Sequence, residues 1–239
     1  MKVNKVNNIH GKESMLTPRL ECIVNHVNAD TAADIGTDHA YVSIELIKQN
    51  RAQRVIASDV RVGPLGAAAK NIEKNGLSDK LETRLGSGLS ILKQKEADVI
   101  IIAGMGGELI SDILENDRET VSDSKLILQP MNAQYELRKY LLNNGFKILS
   151  EDIECEGHRV YNLMVAQNGK QRPFETDIEY HLPKCLYAHP KFSELLAKKQ
   201  REFLKIIRGL ENSKNCDVEK LEYFKSCYEN SERIRNEVK

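Results

Sequence analysis

The stretch from Asp34 to Leu46, DIGTDHAYVSIEL, holds residues suited to binding a charged ligand where a helix begins. Gly36 lets the backbone pass close to a ligand, and the first amide groups of the following helix are free to donate hydrogen bonds. A pyrophosphate would use this positive helix end but would be repelled by Asp38. A dinucleotide loop also needs two further glycines shortly after the first, and this stretch has none there, with Asp38 at the first of the two positions. The pattern favours a ligand that carries both a cation and an anion, although Asp38 could also simply cap the helix.

Three later loops add further binding features. Asp59 ends a predicted strand 25 residues after Asp34, where an acid accepts hydrogen bonds from ribose hydroxyls. Ser87 lies between two glycines in LGSGL, which leaves room for a flat adenine. The sequence AGMGG, residues 103–107, offers a backbone surface for a base, or only a tight turn. S-adenosylmethionine (AdoMet) suits this set, because it has a carboxylate, an ammonium, a sulfonium and an adenosine.

The elements that position these loops alternate regularly along the chain. Strands are predicted at TAADIG, RVIASDV, KLETRLG, ADVIIIAGMGG and KLILQP, with helices between them. The continuous apolar run in the fourth strand is typical of a parallel strand buried on both faces. FKILSEDIE and RVYNLMVAQ then form a predicted hairpin. The fold class is therefore α/β, with a Rossmann-like sheet and the antiparallel ending that is typical of class I methyltransferases.

Three regions are predicted along the chain. Residues 1–14 are polar and are expected to form a disordered extension, residues 15–169 form the α/β domain, and residues 170–239 form a C-terminal domain. Three prolines mark a linker after Gly169. Two helices with apolar residues at three- and four-residue spacing follow, and they predict an antiparallel, coiled-coil-like helical hairpin. Its expected inward-facing residues include Leu196, Lys199, Phe203, Ile206 and Leu210.

Composition excludes several other classes of protein. No stretch reaches the length of a membrane span, and no apolar leader opens the chain, which favours a cytoplasmic location. The five cysteines are scattered without metal-ligand spacing, so no metal is expected.

The net charge of zero is unevenly distributed along the chain, with −5 over residues 15–169 and +3 over residues 170–239. Residues 190–209 alone carry +4, which predicts either a solvated surface or a site for an acidic partner.

The motifs DIGTDHAY, RLGSGL, IIIAGMGGELI and LILQP, in this order, resemble the bacterial tRNA (adenine(22)-N1)-methyltransferases, the TrmK family. The resemblance runs from about Leu16 to Asn168 and extends into the helical tail. It implies AdoMet as methyl donor and tRNA as acceptor. Two positions depart from the family pattern: Met131 intervenes before Asn132, and Asp59 replaces a glutamate.

The resemblance also implies roles for particular residues. The cofactor-binding residues would be Asp34, Gly36, Asp38, His39, Asp59, Gly86, Ser87, Gly104 and Met105. Candidates for assisting the chemistry are Asp38, His39, Tyr41, Gln129 and Asn132. The basic residues Lys198, Lys199, Arg201, Lys205 and Arg208 would hold the RNA backbone. A monomer or weak homodimer is expected. The alternatives are an NAD(P)-dependent oxidoreductase, a non-catalytic RNA-binding protein, and a methyltransferase with another substrate.

Overall fold

The computed structural model describes residues 16–238, and the extension predicted for residues 1–14 lies outside the described residues. Helices and strands alternate in the order expected from the sequence. The elements of the α/β body are α1 (Pro18–Asn25), β1 (Ala29–Ile35), α2 (Tyr41–Lys48), β2 (Ala52–Asp59), α3 (Val62–Lys74), β3 (Leu81–Leu85), β4 (Val99–Met105), α4 (Gly107–Asn116), β5 (Lys125–Pro130), α5 (Gln134–Asn143), β6 (Phe146–Glu156) and β7 (Arg159–Asn168). The C-terminal elements are α6 (Asp177–His181), a 3₁₀ turn (Lys184–Leu186), α7 (Phe192–Glu211) and α8 (Val218–Glu237).

The seven strands form one sheet in the order β3-β2-β1-β4-β5-β7-β6. The first five strands run parallel, and β7 is antiparallel to both β5 and β6. The strand order reverses direction between β1 and β4, which opens a crevice at the carboxyl ends of these strands. The prediction of a doubly wound sheet with a terminal hairpin is confirmed.

The sheet is buried on both faces, and β4 shows why its sequence lacks alternation. Ile101 belongs to the apolar cluster that includes Ile47 of α2. Its neighbours Ile100 and Ile102 belong to the cluster on the other face, with Ile110 of α4. Successive residues of a strand point to opposite faces, so a strand covered on both sides needs apolar residues at every position.

The C-terminal helices α7 and α8 pack against each other as the predicted hairpin. The inward-facing residues differ in part from the expectation, because Ile207 is buried while Ile206 and Leu210 are half-buried. Helix α7 packs against the body as well as against α8, and this moves its buried face. None of the helices in residues 16–238 is long and apolar enough to cross a membrane.

The segment predicted as a linker is folded and packs on the body. Leu182 and Leu186 share an apolar cluster with Ile153 of β6, Val160 of β7 and Leu195 of α7. The hairpin is therefore held against the β6–β7 end of the sheet by apolar burial.

A buried ion pair also joins the linker to the body. Arg138 of α5 donates hydrogen bonds to Glu151 of β6, with a shortest distance of 2.7 Å, and to the carbonyl of Tyr180 at 2.8 Å. Both charged side chains are fully buried. Their hydrogen bonds to each other and to the backbone offset the loss of hydration.

Candidate functional site

A cavity of about 630 Å³ lies at the carboxyl ends of the parallel strands, where the strand order reverses. It is formed by the loops after β1, β2, β3, β4 and β5, together with residues of α1, α2 and α4. Its lining residues are Arg19, Leu20, Asp34, Ile35, Gly36, Asp38, Tyr41, Val42, Ser58, Asp59, Val60, Arg61, Gly86, Ser87, Gly88, Ala103, Gly104, Met105, Leu109, Ile113 and Met131. Most of the predicted cofactor-binding residues therefore share one cavity.

The loop after β1 is held by Asp34. Its Oδ2 accepts hydrogen bonds from the hydroxyls of Thr37 at 2.8 Å and Ser43 at 2.7 Å. Burial raises the pKa of the Asp34 carboxyl, and the two hydroxyls act in the opposite direction. Gly36 has φ of +74°, and a Cβ there would lie 2.1 Å from the terminal carbon of Met105. The left-handed backbone conformation favours glycine at this position, whereas the Met105 methyl group ends a flexible side chain that could move aside.

Asp38, His39 and Tyr41 follow this loop. The Asp38 side chain is 86% exposed and lies 3.5 Å from Nε2 of His39. The interpretation of Asp38 as a helix cap is wrong, because α2 begins at Tyr41 after Ala40 and has no side-chain cap. Asp38 and Tyr41 line the cavity, whereas His39 does not and stacks on Tyr41 with ring centroids 5.5 Å apart.

Asp59 ends β2 as predicted and is largely buried at the cavity wall. Its Oδ1 accepts a hydrogen bond from the backbone N–H of Arg61 at 2.7 Å, which fixes the orientation of the carboxylate. An oriented acceptor at this edge of the sheet suits a ligand with neighbouring hydroxyl groups.

The loop after β3 is positioned by Arg84, which donates hydrogen bonds to Glu96 at 2.7 Å and 2.8 Å and to the carbonyl of Ile91 at 2.8 Å. The Arg84 guanidinium lowers the pKa of Glu96 to about 2. These hydrogen bonds join the two ends of the loop that contains Gly86 and Ser87, and both residues line the cavity. On the opposite wall, Gly104 has open space where a side chain would stand, so the backbone there is accessible to a ligand.

Gln129 and Asn132 do not line the cavity. Gln129 is buried, and its Oε1 accepts a hydrogen bond from Nη1 of Arg19 at 2.9 Å. Asn132 is exposed and lines a neighbouring groove of about 310 Å³ between the body and the hairpin. Met131, the residue that interrupts the family pattern, lines both the cavity and this groove. Gln129 therefore contacts Arg19, which lines the cavity.

Sequence reasoning missed several lining residues, of which Arg19 carries the most chemistry. Arg19 belongs to α1, and its position over the cavity depends on a contact with a residue 110 positions later. A single arginine after Thr17-Pro18 gives no local signal of this role. The apolar lining residues Leu109 and Ile113 lie in α4, and their place on a helix gives no sign in the sequence that they line a cavity.

The predicted RNA-binding residues divide into two groups. Arg201, Lys205 and Arg208 are exposed on α7. Lys199 is buried and donates to Gln134 at 3.3 Å and Glu202 at 2.9 Å. Lys198 is half-buried and donates to the carbonyl of Val160 at 2.9 Å. These two lysines hold the hairpin against the body, so the expectation that both are available to RNA phosphates is corrected.

Comparison with known proteins agrees with this geometry. A family model described as a methyltransferase domain matches residues 16–164. A tRNA (adenine(22)-N(1))-methyltransferase of Bacillus subtilis (strain 168) is 36% identical over 159 residues, which cover 66% of this chain and 67% of the relative. The crystal structure of the B. subtilis M1A22 tRNA methyltransferase TrmK is similar with a TM-score of 0.82 and 27% identity, covering 93% of this chain and 99% of that one. The structure of M. capricolum TrmK in complex with the natural cofactor product S-adenosyl-homocysteine is similar with a TM-score of 0.78 and 28% identity. The similarity covers 94% of this chain and 98% of that one.

The sheet order, the reversed seventh strand and the cavity at the switch point define a Rossmann-like methyltransferase. Within this class the similarity is specific, since it extends through the C-terminal helices as well as the body. The chain belongs to the tRNA (adenine(22)-N(1))-methyltransferase family, as the motifs of the four loops predicted.

Proposed function

We propose that this protein transfers a methyl group from AdoMet to ring nitrogen N1 of adenine 22 in tRNA. The observation that carries the proposal is the cavity at the sheet's switch point in a chain of this family. Its walls combine carboxylates, arginines and open backbone, which together match the charged and polar groups of AdoMet. An NAD(P) pyrophosphate would instead meet the carboxylates of Asp34 and Asp38 beside the first loop.

The residues of the cavity suit the separate parts of AdoMet. Asp59 would accept hydrogen bonds from the ribose hydroxyls, and the segment around Ser87 would contact the adenine. Arg19 would bind the methionine carboxylate, since guanidinium groups suit planar carboxylates. Asp38 would face the ammonium or the sulfonium. When bound, AdoMet supplies a methyl group on a positively charged sulfur.

The acceptor needs positioning more than it needs an acid or a base. N1 of adenine is unprotonated at neutral pH and carries an in-plane lone pair, so alignment and exclusion of water supply most of the acceleration. Tyr41 and Met131 border the cavity beside the open backbone at Gly104, where a flat base could lie. N1 is on the Watson–Crick edge, so adenine 22 must be unpaired or turned out of its helix first. Among the proposed assisting residues, His39, Gln129 and Asn132 lie outside the cavity lining. Gln129 is buried beneath Arg19, and the exposed His39 and Asn132 would act only on the RNA around the cavity.

The experiment that tests the function is a methyl-transfer assay on defined tRNA. The protein, AdoMet and a tRNA transcript with adenine at position 22 are incubated, and the nucleosides are analysed by mass spectrometry. We expect 1-methyladenosine in this transcript and none in a transcript with guanine at position 22. Methylation of both transcripts would assign a different nucleotide. Binding of NAD(P) without AdoMet would assign an oxidoreductase, and binding of AdoMet and tRNA without turnover would assign a non-catalytic RNA-binding protein.

The proposed partner is tRNA, the proposed location is the cytoplasm, and the proposed state in solution is a monomer or weak homodimer. The exposed basic residues of α7 support a polyanionic partner. Light scattering of the protein with and without tRNA would measure the stoichiometry of both.

A further inference from the structure

A cluster of three metal-ligand side chains lies at the junction of α1 and β6. Cys22 lies in α1, His26 is the residue directly after the last residue of this helix, and Asp152 of β6 lies close to both. Their ligand atoms all lie within 4.8 Å of one another. The sequence gives no sign of the cluster, because Asp152 lies 130 positions after Cys22.

The two distances from Asp152 to the other side chains match those of a tetrahedral zinc site. Asp152 Oδ2 lies 3.7 Å from Cys22 Sγ and 3.4 Å from His26 Nε2. Zinc bonds of ordinary length at a tetrahedral angle would separate sulfur from oxygen by about 3.6 Å and nitrogen from oxygen by about 3.4 Å. A cation could therefore be bound with little movement of the side chains.

The hydrogen bonds around the cluster leave acceptor atoms facing each other. His26 Nδ1 lies 2.8 Å from the carbonyl of Cys22, which can only accept, so Nδ1 carries a proton. In the neutral imidazole, Nε2 then has a lone pair directed at Asp152 Oδ2. Two acceptors at 3.4 Å repel each other unless His26 is protonated or a cation lies between them.

His189 orients the carboxylate of Asp152. Its Nδ1 accepts a hydrogen bond from the backbone N–H of Lys191 at 3.0 Å, so in the neutral ring Nε2 carries the proton and donates to Asp152 Oδ1 at 2.8 Å. The backbone N–H of Ile153 donates to the same oxygen at 2.7 Å. Oδ1 is thus used by these two donors, and Oδ2 is turned toward Cys22 and His26. Hydrogen bonds of this kind commonly orient the ligands of metal sites.

We propose that Cys22, His26 and Asp152 bind one divalent transition-metal ion of the zinc type, with His189 as a positioning residue. A thiolate, an imidazole and a carboxylate suit Zn²⁺ and not Mg²⁺ or Ca²⁺, and a water molecule would complete four-coordination. The Cys22 thiol loses its proton to solvent when the ion binds. The ion would tie α1 to β6 and, through His189, to the segment that leads into α7. It lies outside the proposed methyl-transfer site, although Arg19 of the cavity is on the same helix.

The test is a titration of the full-length, chelator-treated protein with Co²⁺, followed by its displacement with Zn²⁺. We expect about one Co²⁺ per chain, a thiolate-to-cobalt charge-transfer band and the visible bands of four-coordinate Co²⁺. Cys22→Ser should abolish the charge-transfer band, and Asp152→Asn should weaken binding more than tenfold. Loss of an orienting group typically reduces metal affinity by roughly 10- to 100-fold, which is the expectation for His189→Gln.

Two controls keep the result interpretable. Cys216→Ser removes a half-buried thiol in the turn between α7 and α8 and should leave the Co²⁺ spectrum unchanged. Each variant is also checked for binding of S-adenosyl-homocysteine, which reports a folded body. Zn²⁺ should raise the melting temperature of the unmutated protein but not that of Cys22→Ser. Absence of a thiolate band in the unmutated protein, or the same band in Cys22→Ser, would overturn the proposal and leave an imidazolium–carboxylate ion pair as the function of the cluster.

Discussion

Asp59 and Asp38 are both aspartates of the cavity, but their surroundings differ. The side chain of Asp59 is 7% exposed and is oriented by the backbone of Arg61, whereas that of Asp38 is 86% exposed. A buried, oriented carboxylate loses little further freedom when it binds a ligand. An exposed one is screened by water and contributes less.

We predict that Asp59→Ala weakens the binding of AdoMet and of S-adenosyl-homocysteine by ~1–3 kcal/mol, or roughly 5- to 150-fold. The ribose hydroxyls would lose their acceptor in both ligands. Isothermal titration calorimetry measures both affinities. Asp30→Ala is the control, because Asp30 is an exposed aspartate that contacts Gln53 near the amino ends of β1 and β2. Equal affinities in Asp59→Ala and the unmutated protein would contradict the ribose assignment.

Asp38→Asn should leave the fold intact, because Asp38 does not cap α2. We expect a smaller loss of AdoMet affinity, up to ~1 kcal/mol, as for other exposed charges. The ligand pair shows which cation Asp38 faces, since S-adenosyl-homocysteine keeps the ammonium but has no sulfonium. A loss for AdoMet alone indicates the sulfonium, and an equal loss for both ligands indicates the ammonium. Unchanged calorimetric affinity for both would remove Asp38 from the cofactor site.

At the scale of elements, the sequence predicts what repeats locally and misses what depends on distant contacts. The apolar run of β4 and the strand–helix alternation are local, so the sheet could be inferred. The sequence could place Gly36 and Asp59 at the cavity, because the carboxyl ends of parallel strands meet at one edge of a sheet. The direction of the Gln129 side chain depends on Arg19, and the burial of Lys199 depends on how α7 packs against α5. No local pattern encodes either contact.

The Arg138–Glu151 pair gives a prediction about how the elements are joined. Arg138→Met should destabilise the protein by ~3–5 kcal/mol, because it leaves the buried Glu151 carboxylate without its cation. Urea unfolding followed by circular dichroism measures this. Replacing both residues, as in Arg138→Met with Glu151→Leu, should recover most of the lost stability. A single variant as stable as the unmutated protein would show that the pair does not hold the linker to the body.

At the scale of the whole molecule, charge distinguishes the part that holds the cofactor cavity from the part that we propose binds tRNA. The cavity lies in the part of the chain that carries −5, whereas the C-terminal part carries +3. An acidic body repels RNA phosphates unless a basic surface offsets its field. Arg201, Lys205 and Arg208 lie at helical spacing on one exposed face of α7, whereas Lys198 and Lys199 are used to dock the hairpin. The basic surface is therefore narrower than the sequence suggested.

We predict that replacing Arg201, Lys205 and Arg208 together by glutamine lowers tRNA affinity and makes it less dependent on salt, while AdoMet binding is unchanged. Each lost phosphate contact should reduce the slope of log affinity against log salt by ~0.7–0.9. Gel-shift titrations at two salt concentrations measure both effects. The matched control replaces the exposed Lys70, Lys74 and Lys80 by glutamine. These lysines lie near the β3 end of the sheet, and their replacement removes the same amount of positive charge. An equal effect of both triple variants would indicate net charge alone. A changed mass in light scattering with unchanged tRNA binding would instead make this face of α7 a contact between two copies of the chain.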